Sequence, residues 1–178
     1  MTDKLALRAR LRAARDGFDR STAIPVADGF AARLADRPVV ASYIAIGSEA
    51  DPAAFVAAAR EAGCTIALPH VTTRAAPFRF LAWDRDEALV DGPFRLRQPA
   101  AEATEVRPDI ILTPLLGFDR AGNRLGQGAG HYDRAFAAHP AAWRIGIAWS
   151  VQAVDMLVPD PWDVPLHAIA TESDWIVP

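Results

Sequence analysis

Cysteine, lysine and long apolar runs are all scarce in this chain: Cys64 is the single cysteine and Lys4 the single lysine. One thiol cannot close an intrachain disulfide, which excludes a disulfide-stapled secreted scaffold, and it cannot build a thiolate metal centre. No stretch reaches the roughly 18 consecutive apolar residues needed to cross a bilayer. The opening Met-Thr-Asp-Lys-Leu-Ala-Leu-Arg is interrupted by charge too early for a secretory leader. A cytoplasmic protein without a membrane partner is therefore expected. Positive charge is not in excess, since 19 Lys plus Arg face 22 Asp plus Glu for a net −3, so there is no basic footprint for nucleic acid. His70, His131, His139 and His167 lack zinc-site spacing, and no Gly-x-Ser-x-Gly elbow is present.

What is present is a chain of 178 residues, 51% hydrophobic and 23% charged, without internal repeat or low-complexity linker. That describes one soluble domain spanning 1–178 and long enough to bury a core. Residues 4–17 read as a helix in which Leu7, Leu11, Ala14 and Phe18 form an apolar stripe beside a basic one of Lys4, Arg8, Arg12 and Arg15. A second helix is expected over 21–36. The apolar run 39–46 reads as a strand buried on both faces, followed by a helix capped by Asp51, begun by Pro52 and stopped at Gly63. A strand at 65–69 completes a βαβ unit. Residues 78–83 read as an edge or antiparallel strand and 84–108 mostly as loop. Further strands are expected at 109–116 and 145–149, short end strands at 168–171 and 175–177, and helices at about 131–138 and 151–157. The sum is an α/β fold with a mainly parallel sheet flanked by helices.

The densest constellation is Arg124-Leu125-Gly126-Gln127-Gly128-Ala129-Gly130-His131-Tyr132-Asp133-Arg134. Alternate glycines permit positive φ, and successive amides ahead of a helix N-terminus form a concave phosphate site. Arg124 and Arg134 flank it, and Asp133 could hold magnesium. The loop is not a Walker A motif, since no Gly-Lys-Ser/Thr follows, nor a good dinucleotide fingerprint; spacing alone also allows a plain surface loop. Lys4, Arg8 and Arg12 repel at i,i+4 spacing, which suits either an anionic partner or a solvated face. Glu49 follows a strand, where α/β sheets bind ligands, and reads equally as a charge favoured at a helix N-terminus. Asp163, within Pro159-Asp160-Pro161-Trp162-Asp163, reads on spacing as a turn residue. Cys64 reads as core, as do most tryptophans; Trp83, at the end of its strand, is the one placed to meet a ligand.

Taken together, Thr113-Pro114-Leu115-Leu116-Gly117-Phe118-Asp119 and the run Gly122 to Arg134 resemble the signature of the 5-formyltetrahydrofolate cyclo-ligase (methenyltetrahydrofolate synthetase) family. The resemblance extends to Lys4 and Arg8, to Glu49-Ala50-Asp51, and from Trp162-Asp163 to Ala170-Thr171-Glu172, in family order. It implies a fold like that of ribose-5-phosphate isomerase and CoA-transferase-like proteins. It also implies ATP- and magnesium-dependent cyclisation of 5-formyltetrahydrofolate, with small molecules as the only partners and a monomer favoured. By the same resemblance Lys4 and Arg8 contact ATP phosphates, Gly126, Gln127, Gly128, Ala129, Gly130, His131, Tyr132, Asp133 and Arg134 cradle them, and Asp133 and Asp163 take magnesium. Glu49 and Trp83 hold the folate. Gln127 and His131 sit between the two ligands, and Arg124, Gln127, Tyr132 and Arg134 serve the reaction. The chain departs from the family pattern at Gln127, where arginine is common, at Ala129 and at His131, and Arg95 to Pro99 lacks the acidic residue often found before that proline. A paralogue activating another amide, or a non-catalytic folate or nucleotide binder, would fit the same resemblance.

Overall fold

The computed structural model describes residues 4–73, 76–93 and 96–178. Helix α1 spans Lys4–Asp16, as the two stripes predict. The expected helix over 21–36 shrinks to α2, Asp28–Ala31, continued by a 3-10 turn at Ala32–Leu34. Residues 21–27 carry no regular structure. Pro25 explains this, because the residue before a proline is pushed out of the helical region. Ile24 instead drops its side chain into the core.

The sheet is assembled from β1 (Val39–Ala41), β2 (Thr65–His70), β3 (Arg79–Ala82), β6 (Ile110–Pro114), β9 (Trp143–Ile147), β10 (Ala168–Ala170) and β11 (Trp175–Ile176). Two-residue pairs β4 (Val90–Asp91) with β5 (Arg97–Gln98), and β7 (Gly117–Phe118) with β8 (Arg124–Leu125), form separate ribbons. The main sheet runs β11-β10-β9-β6-β1-β2-β3. Its five inner strands are parallel, while β3 and β11 close the two edges antiparallel. This is the α/β fold expected, with β3 the expected antiparallel edge. The helix α3, Ala53–Glu61, crosses between β1 and β2, and α4, His131–Ala138, between β6 and β9. Asp51 accepts the Ala53 amide at 2.9 Å, so the cap lies one residue from the expected register. The short helix expected at 151–157 is only a 3-10 turn at Ser150–Gln152.

Two apolar clusters cover the faces of the sheet. One centres on Phe30, Phe55, Leu112 and Ile145, the other on Phe80, Ile111, Phe118 and Phe136. A third, smaller cluster joins Leu11 of α1 to Leu125 and Leu157, with Leu7 and Val154 packed against it. It holds α1 across the carboxyl end of the sheet. Gly117 allows the approach: a Cβ there would lie 2.5 Å from Leu11 Cδ1. In chain order the parallel strands run 2-1-3-4-5, so the connections after β1 and β6 leave neighbouring strands in opposite directions. A ligand crevice belongs outside that switch point.

Candidate active site

A cleft of about 630 Å³ opens at the switch point. After β1 the chain leaves the sheet earlier than expected. Residues 42–46 are not strand, and Ile44 and Ile46 are partly exposed along the cleft wall. The apolar run that reads as a doubly buried strand is thus half strand and half ligand wall. Tyr43, Glu49, Phe78, Leu115 and Trp162 also face the cleft.

The glycine loop forms another wall. Gly128 and Gly130 take positive φ (100° and 66°) and Gly126 does not, so two of the three glycines meet the left-handed requirement. The loop runs into α4 with Gly130 as its N-cap, which turns the first amides of that helix toward the cleft. Its stem is held by Asp119, buried in the turn between β7 and β8. That carboxylate accepts from the Asn123 amide (3.0 Å), Asn123 Nδ2 (2.9 Å) and the Leu157 amide (2.9 Å). One side chain thereby fixes the loop against the segment carrying Asp160 and Asp163.

Across the cleft, α1 presents its basic stripe, and each cation is engaged. Lys4 Nζ lies 2.6 Å from Asp160 Oδ2 and 3.8 Å from Asp163 Oδ2. Arg8 Nε donates to the Gly126 carbonyl at 2.9 Å, and Arg12 Nη2 to Gln127 Oε1 at 2.7 Å. Arg15 Nε donates to Ser48 Oγ at 2.9 Å. Behind the loop, Arg124 pairs with Asp133, and its guanidinium carbon lies 5.1 Å from the centre of the Phe136 ring. The mutual repulsion of the stripe is therefore offset by acceptors from three other segments.

Glu49 faces the loop from the end of the β1 connection. Burial raises its carboxyl above the ordinary range, against the opposing effects of the Ile46 amide (3.1 Å), Arg15 and the Gln127 side chain. Gln127 consequently bridges α1 and Glu49. Tyr132 is half-buried on the cleft wall, and its phenol is pushed strongly upward, chiefly by desolvation and then by Glu49, so it stays a neutral hydrogen-bond donor. His131 stacks on Phe78 (centroids 5.0 Å apart, planes at 13°), and Tyr132 meets the same ring edge-on.

Lys4, Arg8, Glu49, Arg124, the loop from Gly126 to Asp133, and Asp163 all line this one cleft. Two expected residues do not. Trp83 stands beyond β3, where Arg60 covers its ring at 4.9 Å and its indole N–H donates to the Glu87 carbonyl. It packs against the core and outside the cleft lining, because β3 is an edge strand whose end points away from the switch point. Arg134 sits behind the loop, with Nη2 3.0 Å from His131 Nδ1. It is one helical turn into α4 and supports His131 rather than forming the cleft wall. Arg95 lies outside the described residues. Asp160, Phe78 and Tyr43 are cleft residues that no local pattern marks: Asp160 is brought there by Lys4 and Phe78 by stacking on His131, while Tyr43 lies where the chain leaves β1, its hydroxyl donating to the Ala50 carbonyl.

Residues 1–172 match the model of the 5-formyltetrahydrofolate cyclo-ligase family. The chain is 31% identical over 141 residues to the 5-formyltetrahydrofolate cyclo-ligase of Escherichia coli, covering 75% of this chain and 78% of that protein. It is 34% identical over 146 residues to that of Mycolicibacterium smegmatis, covering 78% and 75%. Its fold resembles the NMR structure of Aquifex aeolicus 5,10-methenyltetrahydrofolate synthetase, with a TM-score of 0.79 at 24% identity over 99% of this chain and 93% of that one. The Mycoplasma pneumoniae 5,10-methenyltetrahydrofolate synthetase matches with a TM-score of 0.68 at 24% identity, over 94% and 98%. The chain belongs to the 5-formyltetrahydrofolate cyclo-ligase family.

Proposed function

We propose that this chain cyclises 5-formyltetrahydrofolate to 5,10-methenyltetrahydrofolate, with ATP converted to ADP and phosphate. One observation carries the reading. A loop of positive-φ glycines and a helix bearing Lys4 and Arg8 face each other across the same cleft that Glu49 enters from the β1 side.

In this reading the triphosphate lies between α1 and the loop from Gly126 to Asp133, with Lys4, Arg8 and Arg124 balancing its charge. The formyl oxygen attacks the γ-phosphorus and ADP leaves. The second folate nitrogen then attacks the activated carbon and loses its proton, the carbon–oxygen bond breaks, and phosphate departs. Phosphoryl transfer asks chiefly for positioning and charge neutralisation, and a fixed wall of amides and guanidinium groups supplies both. Glu49 accepts from the N–H donors of the pterin ring. Gln127 and His131 sit between the ligands, Tyr132 donates beside them, and Arg134 acts through His131.

Asp133 and Asp163 are the residues that would hold magnesium. The described residues contain no cluster of three or more metal-ligating side chains, and two cleft carboxylates suit an ion that completes its shell with water and phosphate. Bound there, magnesium would withdraw charge from the phosphoryl oxygens. The two carboxylates are presently paired with Arg124 and Lys4, so nucleotide entry exchanges these internal pairs for ligand contacts. In the same proposal the partners are small molecules, and the enzyme is a cytoplasmic monomer.

The test is direct. Purified protein with 5-formyltetrahydrofolate, ATP and magnesium should produce the near-ultraviolet absorbance of the methenyl product, and omission of ATP should abolish it. Nucleotide hydrolysis without that product would move the reading to another amide substrate. Binding of both ligands without turnover would leave a binding protein.

A further inference from the structure

The last turn of α1 places a buried guanidinium in the cleft with donors unspent. Arg15 is 5% exposed, yet among the described residues its Nε bond to Ser48 is the one hydrogen bond its side chain makes, and its Nη1 is buried with no partner there. A buried, unsatisfied donor on a cation is costly. Arg144 shows how the same fold treats an arginine kept for structure. Its Nε donates to the Pro165 carbonyl (2.9 Å), Nη1 reaches the Pro140 and Ala142 carbonyls, and Nη2 lies 2.9 Å from His167. Arg15 has no such set, and it lines the cleft beside Tyr43, Glu49 and Tyr132.

The surrounding charges narrow what it can receive. Asp16 is taken up by the Ser48 hydroxyl, whereas Glu49 accepts from the Ile46 amide with Gln127 beside it and keeps lone pairs for further N–H donors. An anionic group here would meet Glu49, while Lys4, at the opposite end of α1, stands roughly 16 Å away along the helix. The nucleotide phosphates are thus matched by the Lys4 end. A neutral acceptor suits the Arg15 end, next to groups that Glu49 can take as donors. The pyrimidinone edge of a pterin has that pattern, with two N–H donors flanked by a ring carbonyl.

We propose that Arg15 is a second recognition residue for the pterin ring, its guanidinium donating to the ring carbonyl oxygen adjacent to the N–H groups accepted by Glu49. This rests on the folate reading above. It makes Glu49 and Arg15 a paired acceptor and donor that select an oxo-pterin over its amino counterpart, which presents a donor to Arg15 where an acceptor is required.

The experiment compares wild type, Arg15→Met and Arg15→Lys with a reduced 4-oxo folate and its 4-amino analogue, binding being followed by calorimetry and the KM values for folate and ATP measured separately. Wild type should prefer the 4-oxo compound by about tenfold or more, and Arg15→Met should raise the folate KM about 10- to 100-fold while changing the ATP KM less than about threefold. The oxo-over-amino preference should collapse in Arg15→Met and recover only in part in Arg15→Lys, which keeps the charge but loses the planar fork. If Arg15→Met fails to fold, the reduced preference in Arg15→Lys carries the test. A preference unchanged in the variants, or folate and ATP KM rising together, overturns the assignment. Wild type that binds neither pterin overturns the folate reading beneath it.

Discussion

Arg124 and Asp133, nine residues apart, pair behind the glycine loop and so lock the strand before it to the helix after it. The guanidinium is almost fully buried and Asp133 largely so. Breaking such a pair from one side leaves a buried charge uncompensated. Asp133→Asn retains one acceptor oxygen, so the expected stability loss is about 1–3 kcal/mol, read from denaturant midpoints. Turnover should fall about 100-fold or more, with the magnesium dependence flattened. A wild-type magnesium titration would remove Asp133 from metal binding.

Lys4 sits at the cleft mouth on a half-exposed ion pair, so its removal should cost at most about 1 kcal/mol of stability. Lys4→Ala should nonetheless raise the ATP KM about tenfold while moving the thermal midpoint by no more than about 4 °C, because the lost group faces phosphate only in the complex. An unchanged ATP KM would place the triphosphate elsewhere.

The raised Glu49 carboxyl sets the sign of a pH effect. Only the ionised form accepts two N–H donors, and burial delays ionisation. As pH falls, kcat/KM for folate should therefore decline at a higher pH than an ordinary carboxylate would give. Glu49→Gln should remove that acid limb and raise the folate KM far more than the ATP KM. Initial-rate pH profiles for both enzymes decide it, and equal rises in both KM values would indicate general damage.

Gly128 holds φ at 100° with its Cβ direction facing the Arg8 guanidinium. Gly128→Ala forces a side chain into a strained backbone state costing about 1–2 kcal/mol. The loop should relax away from Arg8 and ATP affinity should drop. Calorimetric ATP binding at wild-type strength would show that the loop tolerates the change.

Trp83 packs beneath Arg60 and outside the cleft. Trp83→Phe should lower stability by about 0.5–1.5 kcal/mol through the lost cation–π contact and indole hydrogen bond. The folate KM should stay as in wild type. A selective rise in that KM would return Trp83 to the substrate site.

The chain's own pattern determined a great deal. The apolar and basic stripes of α1, the β1–α3–β2 unit, the strands near 110 and 145, and α4 from His131 are all local. Each is written in a 3.6-residue period, a continuous apolar run or a capping residue, and needs no distant partner to be read. The glycine loop and its flanking charges are equally local, so the candidate phosphate wall was visible before any fold. Residues 21–27 depart from the expected helix because Pro25 keeps Ile24 out of the helical region, which outweighs the helical spacing of the residues that follow.

Only the tertiary structure could decide which face each local element turns to the cleft. Hydrophobicity cannot separate a strand buried on both sides from one that ends in a ligand wall, so Ile44 and Ile46 read as core until the chain left the sheet. Pairing across long separations is equally silent in sequence. Lys4 meets Asp160, Arg12 meets Gln127, and Arg15 meets Ser48 beside Glu49, because α1 is carried by Leu11 and Gly117 over the carboxyl ends of strands formed 100 residues later. Sequence supplied the chemistry of each side chain; burial and strand order decided which of them share one volume and which, like Trp83, stand apart.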